Sequence, residues 1–201
     1  MAFFEKLVAR VSDQPALFLF LRGIVENDFR AIRAVIGRHL RNDAGLRTLD
    51  LGCGPGAFSP LFAAQGYVGV DINPRYIAYA RRHFQGEFMA GDARAVDLPE
   101  ASFDQILVFG LLHHLDDETV RAVLREMRRL VAPEGEALVV EDIPAVSRLN
   151  LLGHLIHTAE NGQHIRPVEE YRQLYGESFR IAGEETLRSG LCDYYAAVLR
   201  P

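Results

Sequence analysis

The sequence contains two cysteines, a single lysine and no basic excess, and each of these shortages excludes a class of protein. Cys53 and Cys192 match no zinc or redox spacing, which excludes a cysteine-stapled domain and makes a reducing cytoplasm the expected setting. Lys6 is the only lysine, and a net charge of −5 provides no general basic surface for phosphates. We therefore expect no nucleic-acid partner.

A long apolar run is also missing. The longest uninterrupted run, residues 15–21, is closed by Arg22 and falls short of the roughly 20 residues that a membrane-spanning helix needs. Glu5, Arg10 and Asp13 interrupt the N-terminal segment, which has no small-residue cleavage site. We predict an amphipathic helix in a soluble protein, without stable membrane insertion.

Strand and helix patterns alternate along most of the chain. Apolar residues at helical spacing predict a long helix over residues 15–41, broken near Gly23, and we expect residues 1–44 to form a helical lid. Short apolar runs and amphipathic segments then predict strands at 46–51, 67–71, 87–90, 103–109 and 137–141, with helices at 57–65, 74–84 and 117–131. This order indicates a single doubly wound α/β domain over residues 1–201, with a parallel sheet.

The chain ends differently. Residues 144–176 are largely helical and polar in pattern, and we expect a helical cap there. Residues 179–187 and 192–199 predict two strands that form an antiparallel hairpin.

A glycine-rich turn follows the first predicted strand, in the order Asp50-Leu51-Gly52-Cys53-Gly54-Pro55-Gly56. Glycines at a strand-to-helix turn let the backbone approach a ligand closely. The spacing differs from the dinucleotide fingerprint G-x-G-x-x-G, and a carboxylate at Asp50 suits an ammonium group better than a pyrophosphate. The pattern therefore disfavours a nicotinamide-dependent dehydrogenase.

Asp71 ends the second predicted strand, about 20 residues after the first glycine, where an acidic side chain accepts the hydroxyls of a ribose. Together with the glycine turn, it favours an adenosine-containing ligand.

These motifs, with Gly91-Asp92-Ala93 and with Phe103-Asp104 leading into residues 107–115, resemble the class I S-adenosylmethionine-dependent methyltransferases over residues 46–141. The resemblance implies a doubly wound, seven-stranded mixed sheet of order 3-2-1-4-5-7-6 with an antiparallel last strand and helices on both faces. It also implies S-adenosylmethionine as cofactor and S-adenosylhomocysteine as product.

The resemblance further implies three groups of cofactor-binding residues. Those at the methionine end are Asp50, Gly52, Cys53, Gly54 and Gly56. Those around the adenosine are Asp71 for the ribose, Ile72 against the adenine, Asp92 for its amino group, and the neighbouring Gly91 and Ala93. Those closing the pocket near the sulfonium are Phe109 and Gly110.

Two histidines follow the fourth predicted strand. His113 or His114 is a candidate general base, since imidazole accepts protons near neutral pH; the alternative is that one ring packs or caps the next helix. Methyl transfer itself requires mainly in-line positioning, and a base is not obligatory.

The predicted cap supplies candidate substrate contacts, namely His157, His164, Arg166 and Tyr171, of which Arg166 suits a carboxylate or phosphate. His154, His157 and Glu160 share a helical face, but we expect no metal there.

The expected reaction is methylation of a small molecule, first at oxygen and otherwise at nitrogen or carbon. The sequence lacks the N/D-P-P-Y/F motif after the fourth strand, which argues against methylation of nucleic-acid bases. Two alternatives remain: an enzyme that uses the same pocket without methyl transfer, and a non-catalytic binding protein whose N-terminal helix is a partner or homodimer surface.

Overall fold

Seven strands form one mixed sheet in the computed structural model, which describes residues 14–144 and 164–201. The strands are β1 (Thr48–Leu51), β2 (Tyr67–Asp71), β3 (Glu87–Ala90), β4 (Phe103–Phe109), β5 (Val131–Asp142), β6 (Arg180–Ser189) and β7 (Cys192–Arg200). Their order is β3-β2-β1-β4-β5-β7-β6, and β7 runs antiparallel to both of its neighbours. The predicted fold class and strand order are confirmed.

Helices cover both faces of this sheet. They are α1 (Pro15–Val25), α2 (Arg30–His39), α3 (Pro74–His83), α4 (Asp117–Leu130) and α5 (Val168–Gly176). On β4, Ile106 and Val108 pack with α4 and α5, whereas Leu107 packs with α2 and α3 on the other face. Because both faces are buried, a ligand is expected at the carboxyl edge of the strands.

The N-terminal segment forms two helices separated by a turn. The predicted break near Gly23 is confirmed, although it falls just after Gly23, which lies inside α1. The chain turns at Asn27, Asp28 and Phe29, whose φ angles are 51°, 56° and 55°. Asn and Asp tolerate this left-handed conformation, and the side chain of Phe29 is buried in the core.

The helix predicted over residues 57–65 does not form. Only a short 3₁₀ helix, Ser59–Leu61, follows the glycine turn. Pro60 lacks an N–H, and in an α-helix its ring would collide with the carbonyl of Gly56. Gly56 itself has a φ of 89°, outside the helical range.

The cap prediction is also wrong in part. Helix α5 does not lie over the sheet edge: its residues Tyr171, Leu174 and Tyr175 are buried in the core that α4 shares. The remaining part of that prediction, residues 145–163, lies outside the described residues.

The β6–β7 hairpin contacts the end of α1. The N–H of Leu191 donates to the carbonyl of Val25 at 3.1 Å, and the hydroxyl of Ser189 donates to the carbonyl of Glu26 at 2.9 Å. A Cβ on Gly190 would lie 1.8 Å from the Val25 oxygen. The turn between β6 and β7 therefore requires glycine, and it holds the C-terminal end of α1 in place.

Within residues 14–144 and 164–201, no helix is long and apolar enough to cross a membrane.

Candidate active site

The predicted cofactor residues converge at the carboxyl edge of β1, β2, β3 and β4. The N–H groups of Gly52 and Cys53 both donate to Val70 of β2, at 2.8 and 3.0 Å. Gly91 donates to the carbonyl of Asp71 at 3.0 Å, and Gly110 to Val140 at 3.0 Å. Backbone hydrogen bonds thus tie the ends of β1 and β3 to β2 and the end of β4 to β5, at the edge where open α/β sheets bind ligands.

The glycines of the turn have different roles. A Cβ on Gly52 would lie 3.1 Å from Leu111, and one on Gly56 would lie 3.1 Å from Phe84 and Phe88, so both are required by packing. A Cβ on Gly54 would meet only the ring of Tyr76, at 4.0 Å, although its φ is 54°. Gly54 therefore faces open space, and this is the point at which a ligand can approach the backbone closely.

Asp71 connects the second strand to this turn. Its carboxylate accepts hydrogen bonds from the N–H of Gly54 at 2.9 Å and from that of Asn73 at 2.8 Å. Burial raises the pKa of Asp71, and the two hydrogen bonds oppose that rise. The next residue, Ile72, is 73% exposed, an unusual position for an apolar side chain. The pair fits a ribose accepted by Asp71 and an adenine ring packed on Ile72.

Asp92 lies on the same edge in an ion pair with Arg94. Three hydrogen bonds join the two side chains, with a shortest distance of 2.6 Å. The hydrogen bonds from Arg94 lower the pKa of Asp92. An adenine amino group at this position would share the carboxylate with Arg94.

Asp50 lies beneath the glycine turn. Its side chain is buried, and the hydroxyl of Tyr67 donates to it at 2.6 Å. Burial raises the pKa of Asp50 to about 7; the Tyr67 hydrogen bond lowers it, and the charge of Asp71 raises it further. Cys53 is buried beside it, and burial raises the pKa of its thiol. Contact between Asp50 and the methionine end stays a prediction, and its observed partner, Tyr67, was not anticipated.

A buried glutamate holds the segment that follows β4. Glu141 Oε1 accepts the N–H groups of Leu111 and Leu112, at 3.0 and 2.8 Å. Its Oε2 accepts both the backbone N–H and the ring Nδ1 of His113, at 3.2 and 2.9 Å. No local sequence pattern indicates this role, because Glu141 is 28 to 30 residues away from these partners.

The two candidate catalytic histidines occupy different environments. His113 is buried beside Glu141 and Asp142. Its Nδ1, which bonds to Glu141, also lies 3.5 Å from Oδ2 of Asp142. Burial lowers the pKa of His113, but the Glu141 hydrogen bond and the charges of Asp142 and Glu141 outweigh it, so the pKa is raised. His114 is exposed, and the two rings lie 4.1 Å apart. Only His114 reaches the surface.

Arg166, a predicted substrate ligand, is instead part of the scaffold. All five of its N–H groups are used: two bonds to Asp117 and three to the carbonyls of Leu112, His164 and Leu115. The guanidinium is therefore already saturated and is not positioned to bind an anionic substrate.

Two of the other three predicted substrate contacts, His164 and Tyr171, also bond to the protein backbone. The N–H of His164 donates to the carbonyl of His113 at 3.0 Å, and Tyr171 is buried with its hydroxyl donating to the carbonyl of Asp142 at 3.2 Å. His164 therefore holds the segment that follows β4, and Tyr171 holds the end of β5. His157 lies outside the described residues.

Helix α1 crosses the edge above these groups. The ring of Phe18 lies 5.5 Å from that of Tyr76, beside the glycine turn, and the guanidinium of Arg22 lies 5.9 Å from the ring of Phe109. Arg22 also pairs with the buried Glu26 at 3.2 Å, and the hydroxyl of Tyr194 donates to that carboxylate. One helix thus contacts both ends of the candidate pocket.

Comparison with known proteins agrees with this geometry. The family described as a methyltransferase domain matches residues 48–135. The chain is 32% identical over 186 residues to the ubiquinone/menaquinone biosynthesis C-methyltransferase of Hahella chejuensis, covering 76% of this chain and 70% of that protein. It is 33% identical over 153 residues to the ubiquinone biosynthesis O-methyltransferase of Azorhizobium caulinodans, covering 69% of this chain but only 60% of that protein.

Solved structures share the fold at low sequence identity. The magnesium protoporphyrin IX methyltransferase of Synechocystis, solved with bound S-adenosylhomocysteine, has a TM-score of 0.66 at 18% identity and covers 90% of this chain and 88% of its own. The geranyl diphosphate C-methyltransferase of Streptomyces coelicolor has a TM-score of 0.70 at 11% identity, covering 87% and 81%.

Fold, glycine turn and relatives together place this chain in the class I S-adenosylmethionine-dependent methyltransferases, the family to which it belongs. It is a methyltransferase, and S-adenosylmethionine is its cofactor.

Proposed function

We propose that this chain methylates a small-molecule acceptor, with an oxygen atom as the first-choice nucleophile. The observation that carries the proposal is the open space at Gly54 beside Asp71 and Ile72, on the edge that β4 and α1 also reach. A relative from Azorhizobium caulinodans is named as an O-methyltransferase and one from Hahella chejuensis as a C-methyltransferase, so the relatives support both oxygen and carbon as acceptor atoms.

The residues present fit the cofactor. Gly54 would admit the methionine portion close to the backbone, Asp71 would accept the ribose hydroxyls, and Ile72 would pack on the adenine. When bound, S-adenosylmethionine supplies a methyl group that its sulfonium already activates.

The chain's own contribution to the reaction is positioning and, for a protic acceptor, removal of one proton. Phe109 and Gly110 end β4 beneath α1 and would place the acceptor in line with the methyl group. We assign proton acceptance to His114 rather than to His113, because His114 is exposed whereas His113 is buried against Glu141.

Helix α1 is proposed as a lid over this pocket, on the strength of its contacts with Tyr76 and Phe109. Its outer side chains Phe20 and Ile24 are 64% and 65% exposed. A homodimer formed through this face stays a prediction, and the molar mass measured by light scattering over a dilution series tests it.

The experiment for the main proposal has two stages. Calorimetric titration with S-adenosylhomocysteine and with NADH should show micromolar binding of the former alone. A panel of phenols, carboxylic acids, amines and activated carbon acids is then screened with S-adenosylmethionine for release of S-adenosylhomocysteine. Turnover of a phenol or acid supports oxygen methylation; turnover only of amines or carbon acids overturns the choice of oxygen; and cofactor consumption without a methylated product indicates the alternative enzyme class.

A further inference from the structure

Two buried charged side chains hold the segment between β4 and α4 from opposite sides. We call residues 110–116 the β4–α4 turn. Glu141 accepts three backbone N–H groups of this turn and one imidazole N–H, while Arg166 donates to the carbonyls of Leu112 and Leu115. These two side chains therefore hold five backbone groups of the turn, which contains one short 3₁₀ helix, Leu112–His114.

The turn contacts the cofactor side of the pocket directly. The side chain of Leu111 packs against Gly52, and a Cβ on Gly52 would lie 3.1 Å from it. His114 projects from the same turn and is exposed. Any displacement of the turn's backbone would therefore move both the wall against the glycine turn and the proposed proton acceptor.

We propose that Glu141 is a positioning residue of the methyl-transfer site, whose carboxylate sets the position of Leu111 and His114 by holding the backbone of the β4–α4 turn and the ring of His113. It touches neither cofactor nor acceptor. The inference rests on the proposed function only in that this turn borders the site of transfer.

The need for a carboxylate, rather than any polar group, follows from the donors around it. Glu141 is fully buried, and an ionised group in such a place is stabilised only when its oxygens are well supplied with donors. A glutamine at this position would keep one carbonyl oxygen for Leu111 and Leu112. Its amide NH₂ would then face the two donors of His113, which it cannot satisfy.

The charged groups that surround His113 make it a donor. Glu141 and Asp142 of β5 favour the protonated ring, and Arg22 of α1 disfavours it. The net effect is a raised pKa, and Nδ1 carries the proton that the ring donates to Glu141 at 2.9 Å. Loss of the Glu141 charge would shift the titration of the ring to lower pH.

The test compares Glu141→Gln with Glu136→Gln. Glu136 is a matched control: it is the same residue type on the same strand, partly exposed and paired with Arg200 away from the turn. Two measurements need no methyl acceptor. The first is hydrogen exchange of the backbone amides of residues 111–113. The second is the ¹⁵N spectrum of the His113 ring, whose signals are assigned by their loss in His113→Gln.

We expect Glu141→Gln to speed exchange of these amides by about tenfold, as the loss of a charge-assisted hydrogen bond would. The pKa of the His113 ring, followed by its ¹⁵N shifts over a pH titration, should fall in Glu141→Gln, and Glu136→Gln should change neither exchange nor titration. Unchanged exchange and an unchanged ring spectrum in Glu141→Gln would overturn the proposal.

Turnover separates positioning from general stability. With an acceptor found in the screen, we expect Glu141→Gln to lower kcat by about tenfold or more while the Kd for S-adenosylhomocysteine changes less than about threefold. Equal turnover in the two variants contradicts the proposal. Failure of the protein to bind S-adenosylhomocysteine at all would instead reject the proposed function, since the exchange and spectral readouts do not depend on it.

A second pair of variants serves if Glu141→Gln does not fold. His113→Gln keeps an N–H donor for Glu141, whereas His113→Leu removes it. The proposal requires faster amide exchange in His113→Leu than in His113→Gln, and equal exchange in the two variants contradicts it.

Discussion

The hydroxyl of Tyr67 donates a 2.6 Å hydrogen bond to the buried carboxylate of Asp50, directly beneath the glycine turn. The pKa of Asp50 is raised to about 7 from an ordinary value of 3.8, so the folded state holds this proton between about pH 4 and pH 7 while the unfolded chain releases it. The contribution of Asp50 to the free energy of unfolding therefore falls as the pH rises through this window, and it is constant above it.

Tyr67→Phe tests that relationship. The hydroxyl stabilises the ionised form of Asp50, so its loss should lower the free energy of unfolding by about 1–2 kcal/mol at pH 8 and by less at pH 5.5. Urea unfolding at the two pH values measures both. Tyr79→Phe on α3 is the control, and an equal loss at both pH values in Tyr67→Phe would show that Asp50 does not titrate in this range.

Asp71→Ala should weaken binding of S-adenosylhomocysteine by about 2–3 kcal/mol, because it removes both the expected ribose contact and the hydrogen bond from Gly54. Calorimetry measures the change. Asp104→Ala is a matched control, since Asp104 also accepts a backbone N–H, from Arg47, but at the opposite edge of the sheet. Equal affinity in wild type and Asp71→Ala would remove Asp71 from the cofactor site.

Gly54→Ala should separate binding from folding. The added methyl group would enter open space, where the nearest atom is 4.0 Å away, so only the positive φ disfavours the folded state, by about 1 kcal/mol. The same methyl group would occupy the space expected for the cofactor, and we expect binding to fall at least about tenfold. Gly183→Ala, which also meets nothing within 4 Å and has an ordinary φ, should bind normally. Retained binding in Gly54→Ala would place the ligand elsewhere.

Arg166→Ala distinguishes scaffold from substrate contact. The variant loses five hydrogen bonds from a buried guanidinium, so we expect the free energy of unfolding to fall by about 2–4 kcal/mol, and Arg166→Lys should not restore it because lysine cannot form the same fork. Arg172→Ala, at an exposed ion pair, should change it by less than about 1 kcal/mol. Unaltered stability with a raised acceptor KM in Arg166→Ala would restore the substrate role.

Local patterns were sufficient for most of the sheet. Strands β3 and β4 match their predicted bounds, because short apolar runs bounded by turn residues suffice to define them. The strand order depended on the family resemblance and is confirmed. The helix predicted over residues 57–65 was wrong because the prediction followed the helical spacing of the apolar residues and disregarded Pro60. Pro60 prevents an α-helix there, and only a short 3₁₀ helix forms.

The site was predictable where it is local in sequence and not elsewhere. Gly54 and Asp71 belong to consecutive motifs and lie together as expected. The hydrogen bonds of Glu141 to His113 and of Arg166 to Leu112 join residues 28 and 54 positions apart, and no periodicity or motif indicates such pairs. The sequence therefore identified the candidate cofactor residues but not the buried residues that hold the neighbouring backbone.

Gly190 leaves no room for a side chain against the carbonyl of Val25, although the two residues are 165 positions apart in the chain. Any larger residue at this hairpin tip would push against the main chain of α1 itself, which cannot swing aside as a side chain would. We therefore expect a substitution at Gly190 to tilt α1 as a rigid body, although it touches no ligand. If α1 is the lid proposed above, the hairpin tip determines the angle at which that lid lies over the candidate pocket.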